Sequence, residues 1–244
     1  MTAGGPELPD WLEPVRAAAA TITADDLTRY IPPEGSDPRE GAVLMLFGDG
    51  PDGPDLLLTE RAHHMRSHPG QVSFPGGSID ATDADAAAAA LREAREETGL
   101  DPAGVDVFGT LPELWLPPSN FAVTTVLGWW REETPVTVVD PDEVHRVLRV
   151  PLQELLDPAH RVTTIHPMGR MGPGFLIGPR RDLLLWGFTA GIISRLFDHL
   201  GWTRDWDPEV TFELEDRMIF GSNAPTPPPT MPAPNTRFQE GPGR

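Results

Sequence analysis

Residues 76–100, GGSIDATDADAAAAALREAREETGL, constrain this chain more than any other stretch. Five consecutive alanines favour helix strongly, because alanine loses no side-chain entropy there. Thr82 or Asp83 is placed to cap the start, and Gly99 to supply a left-handed residue past the end. On such a helix Glu93 and Glu97 share a face, with Glu96 three positions from Glu93. The result is an oxygen-rich surface that follows a Gly76-Gly77 turn. Hard divalent cations favour oxygen ligands of this kind, and magnesium is usually held by one or two carboxylates plus substrate phosphates. The plainer reading is a solvated acidic helix, with surface ion pairs to Arg92 and Arg95 worth about 0.3–0.5 kcal/mol each.

The flanking residues decide between these readings. Gly77, Arg92, Glu93, Ala94, Glu96, Glu97, Gly99 and Leu100 resemble the box of the Nudix hydrolases, G-x5-E-x7-R-E-U-x-E-E-x-G-U with U apolar. Fourteen residues separate Gly77 from Arg92, one more than in that pattern, and the early glutamate is missing, with Asp83 or Asp85 near its place. Upstream, Leu57-Leu58-Thr59-Glu60-Arg61-Ala62, Arg66, and Gly70 through Gly77 are similar to the L-L-T-x-R-(S/A)-x3-R-x3-G-x3-F-P-G-G signature of the coenzyme A diphosphatase branch of that family. That branch carries the longer spacing too. Ser119-Asn120-Phe121, Val150-Pro151-Leu152 and Trp186-Gly187-Phe188-Thr189-Ala190 resemble its later landmarks.

The resemblance implies metal-dependent hydrolysis of the diphosphate bond of coenzyme A and acyl-CoA, giving 3',5'-ADP and (acyl-)4'-phosphopantetheine. Mg2+ or Mn2+ would neutralise phosphoryl charge and activate water. Glu93, Glu96 and Glu97 are the expected metal ligands, and Arg92 would orient a carboxylate. Arg61 and Arg66 would grip substrate phosphates, while Gly76 and Gly77 let backbone approach the metal or phosphate. The resemblance does not assign the general base: Glu97, Glu113 and Glu143 are candidates. His63, His64 and His68 match no zinc spacing and read as solvated loop residues, with a substrate-facing His68 the alternative. Two other functions stay open. One is hydrolysis of another nucleoside diphosphate derivative such as ADP-ribose or NADH. The other is a catalytically silent binding module, against which the intact Glu93, Glu96 and Glu97 argue. A Ser-His-Asp hydrolase lacks its G-x-S-x-G elbow.

Composition narrows the partners. A formal charge of -18 repels nucleic acid, and no basic stripe offsets it. The same field repels an anionic small substrate, so a metal and a local arginine cluster must reverse it at the site. The absence of cysteine removes thiol nucleophiles and disulfides and fits a reducing, cytoplasmic setting. Neither a membrane-spanning apolar run nor a signal peptide is expected. A homodimer is left open.

Element order points to an α/β/α sandwich with a mixed central sheet. Residues 1–41 read as an N-terminal helical extension, with Leu12, Val15, Ala19 and Ile22 at helical spacing and a short helix at Asp25-Asp26-Leu27. Residues 42–220 read as the hydrolase domain and 221–244 as a disordered proline-rich tail. Within the domain, residues 42–47 and 56–60 predict strands around a turn at 48–54. Further strands are expected at 105–114, 121–130, 143–150, 161–166 and 175–177, with an edge segment at 135–140. Residues 152–156 predict a helical turn, and Leu185, Phe188, Ile192, Leu196 and Leu200 an amphipathic helix.

Overall fold

A computed structural model describes residues 7–65, 68–117 and 119–220. Arg66 and the proline-rich tail lie outside the described residues. A 3-10 turn at Asp10–Leu12 leads into α1 (Glu13–Ala19) and α2 (Ala24–Leu27). Next come β1 (Arg39–Gly50), β2 (Gly53–Arg61), β3 (Val72–Ser73), β4 (Gly76–Ser78) and α3 (Ala86–Thr98). β5 (Val105–Thr110), β6 (Leu114–Leu116), β7 (Phe121–Trp130), β8 (Val144–Pro151) and α4 (Leu152–Leu156) follow. β9 (Arg161–Ile165), β10 (Met171–Ile177), β11 (Leu183–Leu185), α5 (Gly187–His199), β12 (Thr211–Glu213) and α6 (Asp216–Phe220) complete the order.

β1 organises the larger sheet, an eight-stranded mixed array among the described residues. Its Ala42, Leu44 and Leu46 pack with Ala89, Ala90 and Ala94 of α3. Its Met45 and Phe47 face the other way, toward Ile192, Ile193, Leu196 and Phe197 of α5 and Leu12 and Val15 of the N-terminal segment. Strict alternation thus buries both faces, and the expected helix–sheet–helix layering is what forms. Each fully buried leucine here is worth about 1.5–3 kcal/mol relative to exposure. The three buried alanines let α3 sit close on the sheet.

One edge of β1 runs beside β7 in parallel, from Arg39↔Phe121 to Phe47↔Trp129. The other edge is divided. β4 takes Gly41 to Val43, and β2 takes Leu46 to Gly50, both antiparallel. β2 then leaves β1 and runs on to Arg61, paired with β8 and β3. The sheet therefore forks, with Arg61 at the tip of one tine and Gly76 on the other.

Several boundaries differ from the sequence reading. The β1–β2 connection is only Pro51-Asp52, because Gly48–Gly50 and Gly53–Pro54 continue the ladder. Asp85, not Thr82 or Asp83, caps α3: its side chain accepts from the Ala88 amide at 2.8 Å. Gly99 does end α3 with φ 71°. Residues 135–140 are not a strand. They lie along the C-terminal end of α3, where the Thr137 amide donates to the Thr98 carbonyl and the Val139 amide to the Glu97 carbonyl. Leu185 belongs to β11, since Trp186 is extended and α5 begins only at Gly187.

β9, β10, β11 and β12 make a second, four-stranded sheet that the sequence reading did not separate from the first. Leu214, Phe212, Met218 and Ile219 pack against Val162, Leu184 and Trp186 in this region. No helix among the described residues is long and apolar enough to cross a membrane.

Candidate active site at the fork of the sheet

The C-terminal half of α3 lies over the fork. Ala90 and Ala94 anchor the helix inward, which turns Glu93 and Glu97 toward the Gly76-Gly77 strand. A Cβ built on Gly77 would sit 2.5 Å from the Glu93 carboxyl carbon, and one on Gly76 would sit 2.4 Å from the Ala42 carbonyl oxygen. At 76 the obstacle is backbone, so no side chain fits; at 77 it is the far end of the Glu93 side chain, which an added Cβ would push aside.

Glu97 is buried to 6 % exposure, and its Oε2 is enclosed without any hydrogen-bond partner. Burial pushes its carboxyl up to about 8; the positive charge of Arg61 and the Gly76 amide pull the other way, while Glu93 and Glu143 push with burial. Glu93 is raised as well, chiefly by burial, against the restraining hydrogen bond from Arg92. The charges of Glu93 and Glu143 thus bear on Glu97, and that of Glu143 on Glu93 as well, across a partly dry space. An enclosed oxygen without a donor, among like charges, fits the donor set of a hard divalent cation. A cation there would reverse the penalty that burial imposes on Glu97.

Arg92 holds the outer side of this group. Its Nε and one terminal nitrogen each meet the Asp83 carboxylate at 3.0 Å. The same terminal nitrogen donates to the Ser78 carbonyl at 3.0 Å, and the other reaches Glu93 at 2.9 Å and Glu96 at 3.2 Å. Arg92 is therefore no loose surface ion pair: it ties α3 to the loop after β4. The hydrogen bonds from Arg92 hold the Asp83 carboxyl below its ordinary value. The spacing of the box puts Asp83 or Asp85 near the missing glutamate; of the two, Asp83 is the one that meets Arg92, while Asp85 caps α3.

The remaining expected residues divide. Arg61 is close enough to Glu97 and His68 for its charge to act on both. Arg66 lies outside the described residues. Glu96 stays on the rim with its side chain 60 % exposed, bound to Arg92. Among the base candidates Glu143 acts on both Glu93 and Glu97, whereas exposed Glu113 is not among the charges that move either. His63 and His64 are exposed as expected, but His68 is half-buried, with an enclosed Nδ1 lacking a partner.

A family profile described as NUDIX domain matches residues 38–167. A protein named Uncharacterized Nudix hydrolase NudL from Enterobacter sp. (strain 638) is 40% identical over 175 residues, covering 67% of this chain and 83% of that protein. The protein of the same name from Escherichia coli (strain K12) is 38% identical over 192 residues, covering 74% and 96%. Among solved structures, the M. smegmatis Nudix hydrolase RenU aligns with TM-score 0.48 and 20% identity, over 69% of this chain and 89% of that one. The profile and these relatives show that the chain belongs to the Nudix hydrolase family, enzymes acting on pyrophosphate bonds.

Proposed function

We propose that this hydrolase splits the diphosphate bond of coenzyme A and acyl-CoA, releasing 3',5'-ADP and (acyl-)4'-phosphopantetheine. The observation that carries the proposal is the meeting, at one fork, of the Glu93–Glu97 pair with the Arg61–Gly77 segment. That segment bears the coenzyme A diphosphatase signature, and among its described residues Arg61 is the one whose charge reaches Glu97.

Glu93 and Glu97 would hold Mg2+ or Mn2+, with Glu96 at the rim. A bound ion of this type supplies charge neutralisation on the phosphoryl oxygens and activation of water. The protein residues supply the rest. Arg92, fixed by Asp83 and Ser78, keeps the Glu93 carboxylate oriented. Gly76 and Gly77 carry no side chain of their own, so the backbone can come close to the metal or phosphate, and the space beside Gly77 is taken by the Glu93 carboxylate. Arg61 draws the anionic substrate into a strongly acidic protein. Glu143 is the base we favour for taking the proton of the attacking water: it is exposed yet acts on both carboxylates. A coenzyme A molecule enters as a small-molecule nucleotide partner, and no second chain is required by this scheme.

The test is a substrate panel. Purified protein with Mg2+ or Mn2+ is offered CoA, acyl-CoA, ADP-ribose, NADH and nucleoside triphosphates, and the products are separated by chromatography. The proposal expects 3',5'-ADP from CoA and acyl-CoA at the highest kcat/KM. Cleavage of ADP-ribose or NADH with CoA left intact would overturn it.

A further inference from the structure

On the face of β2 opposite the carboxylate site lies a second group of metal-type ligands. β2 alternates: Leu57 packs toward α3, while Leu56 and Leu58 face α5. Glu60 continues the Leu58 side, whereas the charge of Arg61 reaches Glu97. Glu60 is nearly inaccessible at 2 % exposure, which for a carboxylate demands partners. It has two. Its Oε2 accepts from Arg146 at 2.5 Å, and its Oε1 meets His63 Nε2 at 3.0 Å.

The backbone brings a third ligand there. β8 pairs Arg146 with Glu60 and Val144 with Arg61, so His145 is an extra residue in a bulge. Bulges re-aim a side chain that regular pairing would send elsewhere. Here the His145 ring meets the His63 ring edge-on, with centroids 4.7 Å apart. One ligand atom from each of Glu60, His63 and His145 lies within 4.8 Å of the others. Gly70 lies close under His63: a Cβ there would be 2.8 Å from the imidazole.

We propose that Glu60, His63 and His145 form a second cation site, specific for a transition ion such as Zn2+ and separate from the magnesium-type site. Two imidazoles and one carboxylate match zinc and related borderline ions, whereas magnesium prefers oxygen ligands alone. Both histidines are exposed and can draw in, while Arg146 anchors the glutamate as an outer partner of a metal-bound carboxylate does. Three protein ligands leave a fourth position to water. The ion would staple the start of the 62–71 loop, through His63, to β8, through His145.

The full-length protein is titrated with Co2+, a spectroscopic substitute for zinc, in excess Mg2+ to fill the oxygen site. The proposal expects one equivalent of visible d–d absorption of tetrahedral type, retained in Glu97→Gln. His63→Ala and His145→Ala, both at exposed positions, should each weaken uptake by more than the roughly 10–100-fold typical of losing an outer partner. Zn2+ should also slow amide exchange at residues 62–65 in the wild type and not in His145→Ala. Absence of Co2+ uptake, uptake indifferent to His145→Ala, or uptake abolished by Glu97→Gln alone would each overturn the proposal, the last by assigning the ion to the carboxylate site.

Discussion

Gly77 and Glu93 occupy each other's space: the carboxyl carbon of Glu93 lies 2.5 Å from where a Cβ on residue 77 would stand. The carboxylate oxygens are 2.5 and 2.7 Å from that same point. Glycine at 77 is thus the condition for Glu93 to face the fork. Gly77→Ala should displace Glu93 and lower kcat/KM by about 100-fold, the scale of a 1 Å misplacement, with little loss of thermal stability. Steady-state kinetics beside a melting curve checks this. Near-normal kinetics would mean that Glu93 has no need of its present position.

Glu97→Gln keeps the shape of the side chain and removes its charge. Losing an ion contact worth about 3 kcal/mol costs roughly 100-fold in turnover. Stability without metal should hold or rise at pH 7, because burial disfavours the charged form of Glu97 in the metal-free fold. Activity at saturating Mg2+ and denaturant melts measure the two effects. Wild-type turnover in this variant would remove Glu97 from the mechanism.

Asp83→Asn weakens the two-point grip on Arg92 and leaves the helix cap at Asp85 untouched. Mn2+ affinity should fall by about 10–100-fold, as when an outer partner of a metal ligand is lost. Titration of free Mn2+ by electron paramagnetic resonance reads this directly. Unchanged affinity would show that Ser78 and Glu96 suffice to hold Arg92.

Arg61→Ala should act on capture more than on the chemical step. A charge-assisted hydrogen bond to phosphate is worth about 1.5–3 kcal/mol, so KM should rise about tenfold or more while kcat changes less. A fall in kcat at constant KM would instead tie Arg61 to the reacting phosphoryl group.

His68 offers a pH signature. Burial, aided by the positive charge of Arg61, holds its imidazole below the ordinary histidine value. Around the unfolded value of about 6.5 the unfolded chain then binds more protons than the folded one. The contribution of His68 is therefore present above that value and lost as pH falls through it toward the lower folded value. Relative to His68→Asn, which tolerates the backbone at φ 54°, the wild type should lose stability between roughly pH 7 and pH 5. Urea melts across that range test it; parallel curves for the two proteins would contradict the shift.

Local chemistry made much of this protein legible before any fold was in view. The alanine run and Gly99 specify α3, and Phe121–Trp130 is a strand with the bounds its β-branched and aromatic residues predict. The i,i+4 spacing puts Glu93 and Glu97 on one face because the helical repeat leaves no other choice. Helix capping was read less well. Asp83, Thr82 and Asp85 are all competent caps, and Asp83 serves Arg92 because a guanidinium nine residues away folds back on it.

Which distant residues share a space is settled by the folded arrangement of the elements. Periodicity reports the face of a helix or strand and is blind to the neighbour across the gap. Nothing near Glu97 in the chain announces that it is dry, or that Arg61 and Glu143 are its electrostatic neighbours. Likewise His63 has no zinc spacing along the chain, yet a one-residue bulge in β8 delivers His145 to its ring. The helix, its carboxylates and the paired glycines follow from local chemistry, through short-range sterics and hydrogen bonding. Burial and the forked pairing of β1 decided their electrostatics, because desolvation and long-range charge depend on three-dimensional enclosure that no local pattern encodes.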